Sequence, residues 1–456
     1  MLAALGLALG VLSPPGAPAR AVEPSVPDGT QGRGDSVMPS MSADGRFVVF
    51  DSDAPDLVAG DTNQATDVFV RDLVRRRTQR VSVGTDGAQV PGLLGRAGFT
   101  RAGAISDNGR FVAFTSADAL TPADTNAADD VFVRDLRRGT TRRVSVGAGG
   151  GQANGESRAW QISGDGRHVL FESTAANLVP GPAGPAGSRG LYVRDLSRGT
   201  TRRIDVTPSG TPGAYPFVQD ASMTRQGRFV LFVSYASNLV PGDTNQVDDV
   251  FLRDLWRGTT RRVNLSVTGE QADNGYLQPY PTPNLGRIAS ISADGRFVAF
   301  ASRALNLVPD GQPNPYGINH IFLRDVQRST TSRVDVTASG VLEGGFPYQP
   351  VISADGGTIV YRGTGDNLVA GLGYVVRDLP HRRGRSVQGR ATPPWGPAFR
   401  FPHETPPVIS AHGDFVAFVT GNGAELVPGV GPFLNVLRWT RRDGTFRQAS
   451  LGNPAP

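Results

Sequence analysis

SADGRFVVF, residues 42–50, decides the fold, because the same pattern of a small turn followed by an apolar run returns along the whole chain. It recurs as SDNGRFVAF (106–114), SGDGRHVLF (163–171), TRQGRFVLF (224–232), SADGRFVAF (292–300), SADGGTIVY (353–361) and SAHGDFVAF (410–418). The glycines Gly45, Gly109, Gly166, Gly227, Gly295, Gly356 and Gly413 lie 57 to 68 residues apart, so the chain consists of seven units.

A second element follows each first one: DVFVRDL (67–73), DVFVRDL (130–136), LYVRDL (191–196), DVFLRDL (249–255), IFLRDV (321–326), YVVRDL (374–379) and NVLRWT (435–440). A third comes soon after, as TQRVSV (78–83), TRRVSV (141–146), TRRIDV (201–206), TRRVNL (260–265) and TSRVDV (331–336), then weakens to RSV (385–387) and FRQASL (446–451). With a short run ending at each turn serine (GAIS, WQIS, ASIS, PVIS), every unit holds four strands, named a to d, in an antiparallel meander. The Asp-Gly turn is a hairpin signal because glycine accepts the positive φ required there.

Strands b and c are apolar on consecutive residues, as in Phe47 to Phe50 and Val68 to Val70, which predicts burial on both faces. Strand d alternates, as in Arg80, Val81, Ser82 and Val83, and its arginines suit an outermost edge that must not pair with another molecule. Sheets packed radially satisfy all of this, so the expected fold is all-β, a seven-bladed β-propeller of four-stranded antiparallel blades over 37–452. The segment 22–36 is expected near the ring closure.

The Ser-x-Asp-Gly-Arg turn before an apolar strand resembles the TolB-like propellers built from PD40 or WD40-like repeats, over about residues 37 to 451. That resemblance implies a propeller and says little of function, since its members include periplasmic proteins, binding scaffolds and propellers attached to peptidases. TolB itself is similar to a six-bladed ring with an N-terminal α/β domain; this chain has seven repeats and no room for that domain.

Composition agrees with a turn-rich globular protein: 58 Gly, 35 Pro and 39% hydrophobic residues in 456. Zero cysteines exclude disulfides, zinc-thiolate sites and thiol catalysis. MLAALGLALGVL with Ala-Pro-Ala and Ala-Arg-Ala sites reads as a signal peptide over 1–21, which predicts export to the periplasm or outside the cell. No transmembrane span is expected in the mature chain.

No catalytic set assembles from the sequence. A Gly-x-Ser-x-Gly elbow is missing, and His168, His320, His381, His403 and His412 are scattered. Ser353 to Thr358 resembles one sialidase Asp-box, so the alternative is a glycan-directed hydrolase or lyase with its site on the loop face. Asp61, Asn63 and Asp67, with their equivalents Asp124/Asn126/Asp130 and Asp243/Asn245/Asp249, place three oxygen donors in a b–c loop; calcium is one reading and self-satisfied Asx turns the other. No metal site, cofactor or nucleic-acid partner is assigned.

In such a meander the a–b and c–d turns share one face, and the b–c and d–a loops share the other. The d–a loops are long, variable and aromatic. Tyr215, Phe217, Tyr276, Tyr280, Phe346, Tyr348, Trp395 and Phe399 are therefore the candidate binding residues, for a protein, peptide or glycan partner of the cell envelope. They equally suit plugs for the channel mouth.

Overall fold

A computed structural model describes residues 29–30, 32–89, 104–181, 188–214, 218–274, 287–309, 317–336, 347–363, 373–379, 405–421, 427 and 433–452. Blade 1 is β1 (Ser36–Met41), β2 (Phe47–Ser52), β3 (Asp67–Asp72) and β4 (Arg77–Arg80), hydrogen-bonded in that order. The same antiparallel order repeats over 104–143, 157–203, 218–262, 289–333, 348–378 and 408–448. Each sheet comes from consecutive sequence, and strand a of every blade approaches strand a of the next until blade 7 meets blade 1. The chain is a seven-bladed β-propeller. Its sixth sheet has three strands among the described residues, and 385–387, expected to supply the fourth, lies outside them.

The core is a set of seven layers, each between two neighbouring sheets. Val49, Val68 and Val70 of blade 1 pack on Val112, Phe114 and Phe132 of blade 2, and Val48 and Phe50 pack on Val419 and Val436 of blade 7. Two-sided burial of strands b and c follows from this arrangement. Within sheets, rings on b and c meet across the strands, as in Phe50 with Phe69 (6.0 Å between centroids) and Phe232 with Phe251 (5.6 Å). Such pairs add about 0.5 to 1.5 kcal/mol beyond their burial.

The turn glycine is obligatory for two reasons. At Gly45 φ is 70°, and a Cβ there would stand 2.3 Å from the Phe415 ring; at Gly109 it would stand 2.2 Å from the Phe47 ring. The turn of each blade thus presses on the first strand-b residue of the preceding blade. Its neighbours link the turns at six of the seven joints: Ala43 N donates to Asp107 O (3.2 Å), Asp107 N to Gly164 O (3.0 Å), Gly164 N to Arg225 O (2.8 Å), Ala293 N to Ala354 O (2.8 Å), Asp355 N to Ala411 O (3.1 Å) and Ala411 N to Ala43 O (3.1 Å).

The Arg-Asp dipeptide of strand c also ties blades together. Adjacent strand residues point to opposite faces. Arg134 Nη1 donates to Thr141 of its own blade (2.9 Å) and to Gly84 O of the preceding one (3.1 Å). Asp135 instead clamps the turns, accepting from Arg110 Nη2 (2.6 Å) and from the amides of Arg137 and Arg138. Burial opposes ionisation of Asp135, but these hydrogen bonds hold its carboxyl below the usual range.

Strand d differs from the expectation. It spans Arg77–Arg80 in blade 1 and Thr140–Arg143 in blade 2, ending before the buried Val81 and Val144. Its two arginines divide the work: Arg142, Arg202 and Arg261 are exposed on the edge, whereas the Arg80 and Arg143 side chains turn inward and are only 7% exposed.

Candidate functional site

On the loop face, the inward arginine of strand d explains the Asp-Asn-Asp loops. Arg262 Nη1 lies 3.2 Å from Asp243 Oδ1, 2.8 Å from Asp249 Oδ2 and 3.0 Å from Gln271 Oε1. Arg80 takes the same place near Asp61 (3.5 Å) and Asp67 (3.7 Å), and Arg143 near Asp124 (3.5 Å) and Asp130 (3.8 Å). A guanidinium therefore occupies the space between the carboxylates that a cation would need. The Asn between them closes an Asx turn, with Ala65 N donating to Asn63 Oδ1 (3.2 Å) and Ala128 N to Asn126 Oδ1 (3.1 Å). Among the described residues no group of three or more His, Asp or Glu is placed to hold a metal ion.

Desolvation dominates these carboxyls. Burial pushes Asp130 up to about 6 against the hydrogen bond from Ser145, and burial with the nearby Asp249 pushes Asp243 up to about 6 against Arg262.

The loop end of strand b breaks the repeat. Its fifth residue is Asp51, Thr115, Glu172, Val233, Ala301, Arg362 or Val419 in successive blades. In blade 3 Glu172 belongs to a charged network: Arg189 Nη1 bonds Glu172 (3.0 Å), Arg189 Nη2 bonds Glu156 (3.3 Å), and Arg158 reaches Glu156 (3.6 Å) and Asp129 of blade 2 (3.2 Å). Sequence reasoning passed over this network. Its only signal was the charge at a strand-b position that is apolar in three of the other copies.

In blade 6 the same position is Arg362, whose guanidinium lies 5.2 Å from the centre of the Tyr348 ring. Tyr348 opens strand a of that blade and is half-buried. The other candidates, Tyr215, Phe217, Tyr276, Tyr280, Phe346, Trp395 and Phe399, lie outside the described residues.

The histidines fill scaffold positions. His168 opens strand b of blade 3 and packs under Gly227, where five other blades use phenylalanine and blade 6 uses Thr358. His320 opens strand c of blade 5, 3% exposed, with Nδ1 2.7 Å from Asp335 Oδ2. His412, in an a–b turn, stands 3.5 Å from Asp355. His381 and His403 lie outside the described residues. The Asp-box-like segment is the common turn: Ser353 Oγ donates to Asp355 Oδ1 (2.5 Å) as Ser42 Oγ does to Asp44 Oδ1 (2.6 Å).

No family model matches the chain, and no curated protein matches it either. Solved structures do. The β-propeller domain of the Trilobed protease from Pyrococcus furiosus is 11% identical, with a TM-score of 0.50 over 93% of this chain and 99% of that one. TolB from Acinetobacter baumannii is 16% identical, with a TM-score of 0.35 over 66% of this chain and 54% of that one. Dipeptidyl peptidase 4 from Porphyromonas gingivalis is 12% identical, with a TM-score of 0.45 over 90% of this chain and 52% of that one. The chain spans about half the length of the TolB and of the peptidase it matches. At these identities the likeness bears on the fold alone.

Proposed function

We propose that the chain is an exported binding propeller of the cell envelope, with no catalytic role, which holds a protein, peptide or glycan on its b–c and d–a loop face. The observation that carries this reading is where the repeat breaks. The a–b turns share one hydrogen-bonding scheme, whereas the loop end of strand b changes from acid to base to apolar from blade to blade. A rigid scaffold that varies at one rim offers that rim for recognition. The charged groups described there are engaged with each other, which suits recognition by aromatic and backbone groups better than proton transfer.

The test is capture from envelope extract with the mature chain, followed by affinity measurements on Trp395→Ala and Tyr276→Ala/Tyr280→Ala. Loss of about 2 kcal/mol of binding at an unchanged melting temperature supports the reading. Unchanged binding with a large loss of stability rejects it. Mass spectrometry of protein from the native host checks export: removal of residues 1 to about 21 is expected, and an intact Met1 speaks against it.

A further inference from the structure

The turn face carries a feature that the loop-face reading leaves unused. The third residue of the c–d turn is arginine in five blades, Arg75, Arg138, Arg198, Arg257 and Arg328, all exposed; in blade 7 it is Asp443, with the exposed Arg442 before it. Arg198 and Arg328 are 70% and 71% exposed, and their contacts to Asp195 and Asp325 are long, at 3.8 and 4.0 Å. Beside the c–d turns, Asp72, Asp135, Asp195, Asp254 and Asp325 are buried and paired with Arg46, Arg110, Arg167, Arg228 and Arg296, and nearer the channel Asp44, Asp165 and Asp294 are engaged by their own turn serines. The outer ring is therefore basic. On the opposite face the exposed charges among the described residues include Asp35, Asp53, Asp86, Glu270 and Asp273, against Arg33, which is paired with Asp56.

Two of the turn tips are apolar. Trp256, preceding Arg257, is 71% exposed, and Val74, preceding Arg75, is 70% exposed; no other large hydrophobic described is as exposed as these two. The Arg228 guanidinium stacks on the Trp256 ring, 4.7 Å from its centre. Blades 1 and 4 stand well apart around the ring, so the two tips lie on different sides of the channel.

We propose that this face docks on an anionic lipid bilayer, with the tip arginines against phosphate headgroups and Trp256 and Val74 entering the interfacial layer. Arginine at the same turn position of five successive blades fits a flat anionic surface. Basic residues beside a membrane attract acidic lipid, and tryptophan sits at the headgroup level. Docking this way turns the loop face outward, and the assignment does not depend on what the loop face binds.

The test is co-sedimentation of the mature chain with vesicles of phosphatidylcholine alone and of phosphatidylcholine with phosphatidylglycerol. Binding is expected only to the anionic vesicles and is expected to weaken strongly between 0.1 and 0.5 M salt, as the Debye length falls from about 10 Å to less than half of that. At about 1 kcal/mol per basic residue, the triple variant Arg198→Glu/Arg257→Glu/Arg328→Glu loses about a hundredfold or more. Trp256→Ser loses several-fold. Ala88→Glu/Ala119→Glu, exposed on the loop face, binds as the parent does. Melting temperatures of the variants are expected to match the parent, since every altered side chain is exposed. Equal pelleting with both vesicle types, or none with the anionic ones, overturns the proposal. Polyphosphate that captures the chain as well as vesicles do, with Trp256→Ser binding normally, assigns the face to a soluble polyanion and also overturns it.

Discussion

The guanidinium of Arg225 reaches over Gly164 to the carboxylate of Asp107, joining the a–b turns of blades 4 and 2 across that of blade 3. A Cβ at Gly164 would lie 1.7 Å from Asp107 Oδ2. Gly164→Ala should therefore force the pair apart, with a cost of about 1 to 3 kcal/mol, as for other overpacked sites. In an Asp107→Ala background the same change should cost much less, because the obstructed atom is gone. Denaturation midpoints of the four proteins of the cycle check this; equal costs in both backgrounds would show that the bridge is not what Gly164 makes room for.

Gly109 tests the blade-to-blade contact itself. With φ at 67° and the Phe47 ring 2.2 Å from a Cβ, Gly109→Ala meets both backbone strain and a steric clash. Strain of this kind costs about 1 to 3 kcal/mol, and the clash adds to it. Adding Phe47→Ala should relieve the clash and leave the strain. Chemical denaturation should then show the double variant less destabilised than the two single changes added together.

The buried carboxylates predict an unusual pH response. Burial raises Asp130 to about 6 in the folded protein, above its ordinary value of 3.8, so the folded state binds the proton more tightly than the unfolded chain. Its contribution to stability is present at low pH and falls away as pH rises through about 6. Asp72, Asp254 and Asp325 work in the other direction, since hydrogen bonds from Arg46, Arg228 and Arg296 and from the turn amides outweigh burial and hold them low. Their contribution is lost as the pH falls below about 4. The melting temperature should accordingly peak near pH 4, and Asp130→Asn should lessen the decline between about pH 4 and 6 while leaving the acid limb in place.

The fold was legible because a propeller writes its geometry into its copies: the turn glycine and the two-sided apolar strands answer contacts that recur in all seven blades, and the Arg-Asp pair recurs in six. What a ring brings together only once is not written that way. Asp107 and Arg225 are 118 residues apart, and neither residue type marks the other. The two arginines of strand d look alike in TTRR, yet Arg142 faces solvent and Arg143 meets Asp124, because only one of them points toward the b–c loop. The loop-face network of Glu156, Arg158, Glu172 and Arg189 was hidden for a similar reason, since its members come from three separate segments. Of the aromatic candidates, only Tyr348 lies among the described residues, and its partner Arg362 was not foreseen.

The joint between blades 1 and 7 is the one that no covalent connection spans, so its hydrogen bonds decide whether the ring stays shut. Arg71 is fully buried there, and its Nη1 donates to Thr78 Oγ1 (3.1 Å), Leu451 O (3.4 Å) and Gly452 O (2.9 Å). Gly452 N in turn donates to Thr30 O (2.8 Å), and Arg438 of blade 7 donates to Gly45 O of blade 1 (2.7 Å). Arg71→Met should leave buried carbonyls without their donor, at a cost of about 1 to 3 kcal/mol. Arg134→Met removes the equivalent bonds between blades 1 and 2, where the chain itself runs from one blade into the next. Both variants should lose similar global stability, but only Arg71→Met should open the seam and expose the segment after Ser450. Limited proteolysis with mass spectrometry distinguishes them: early C-terminal cleavage in Arg71→Met alone is the expected result, and the same cleavage pattern in both would mean that the seam is held by its apolar layer instead.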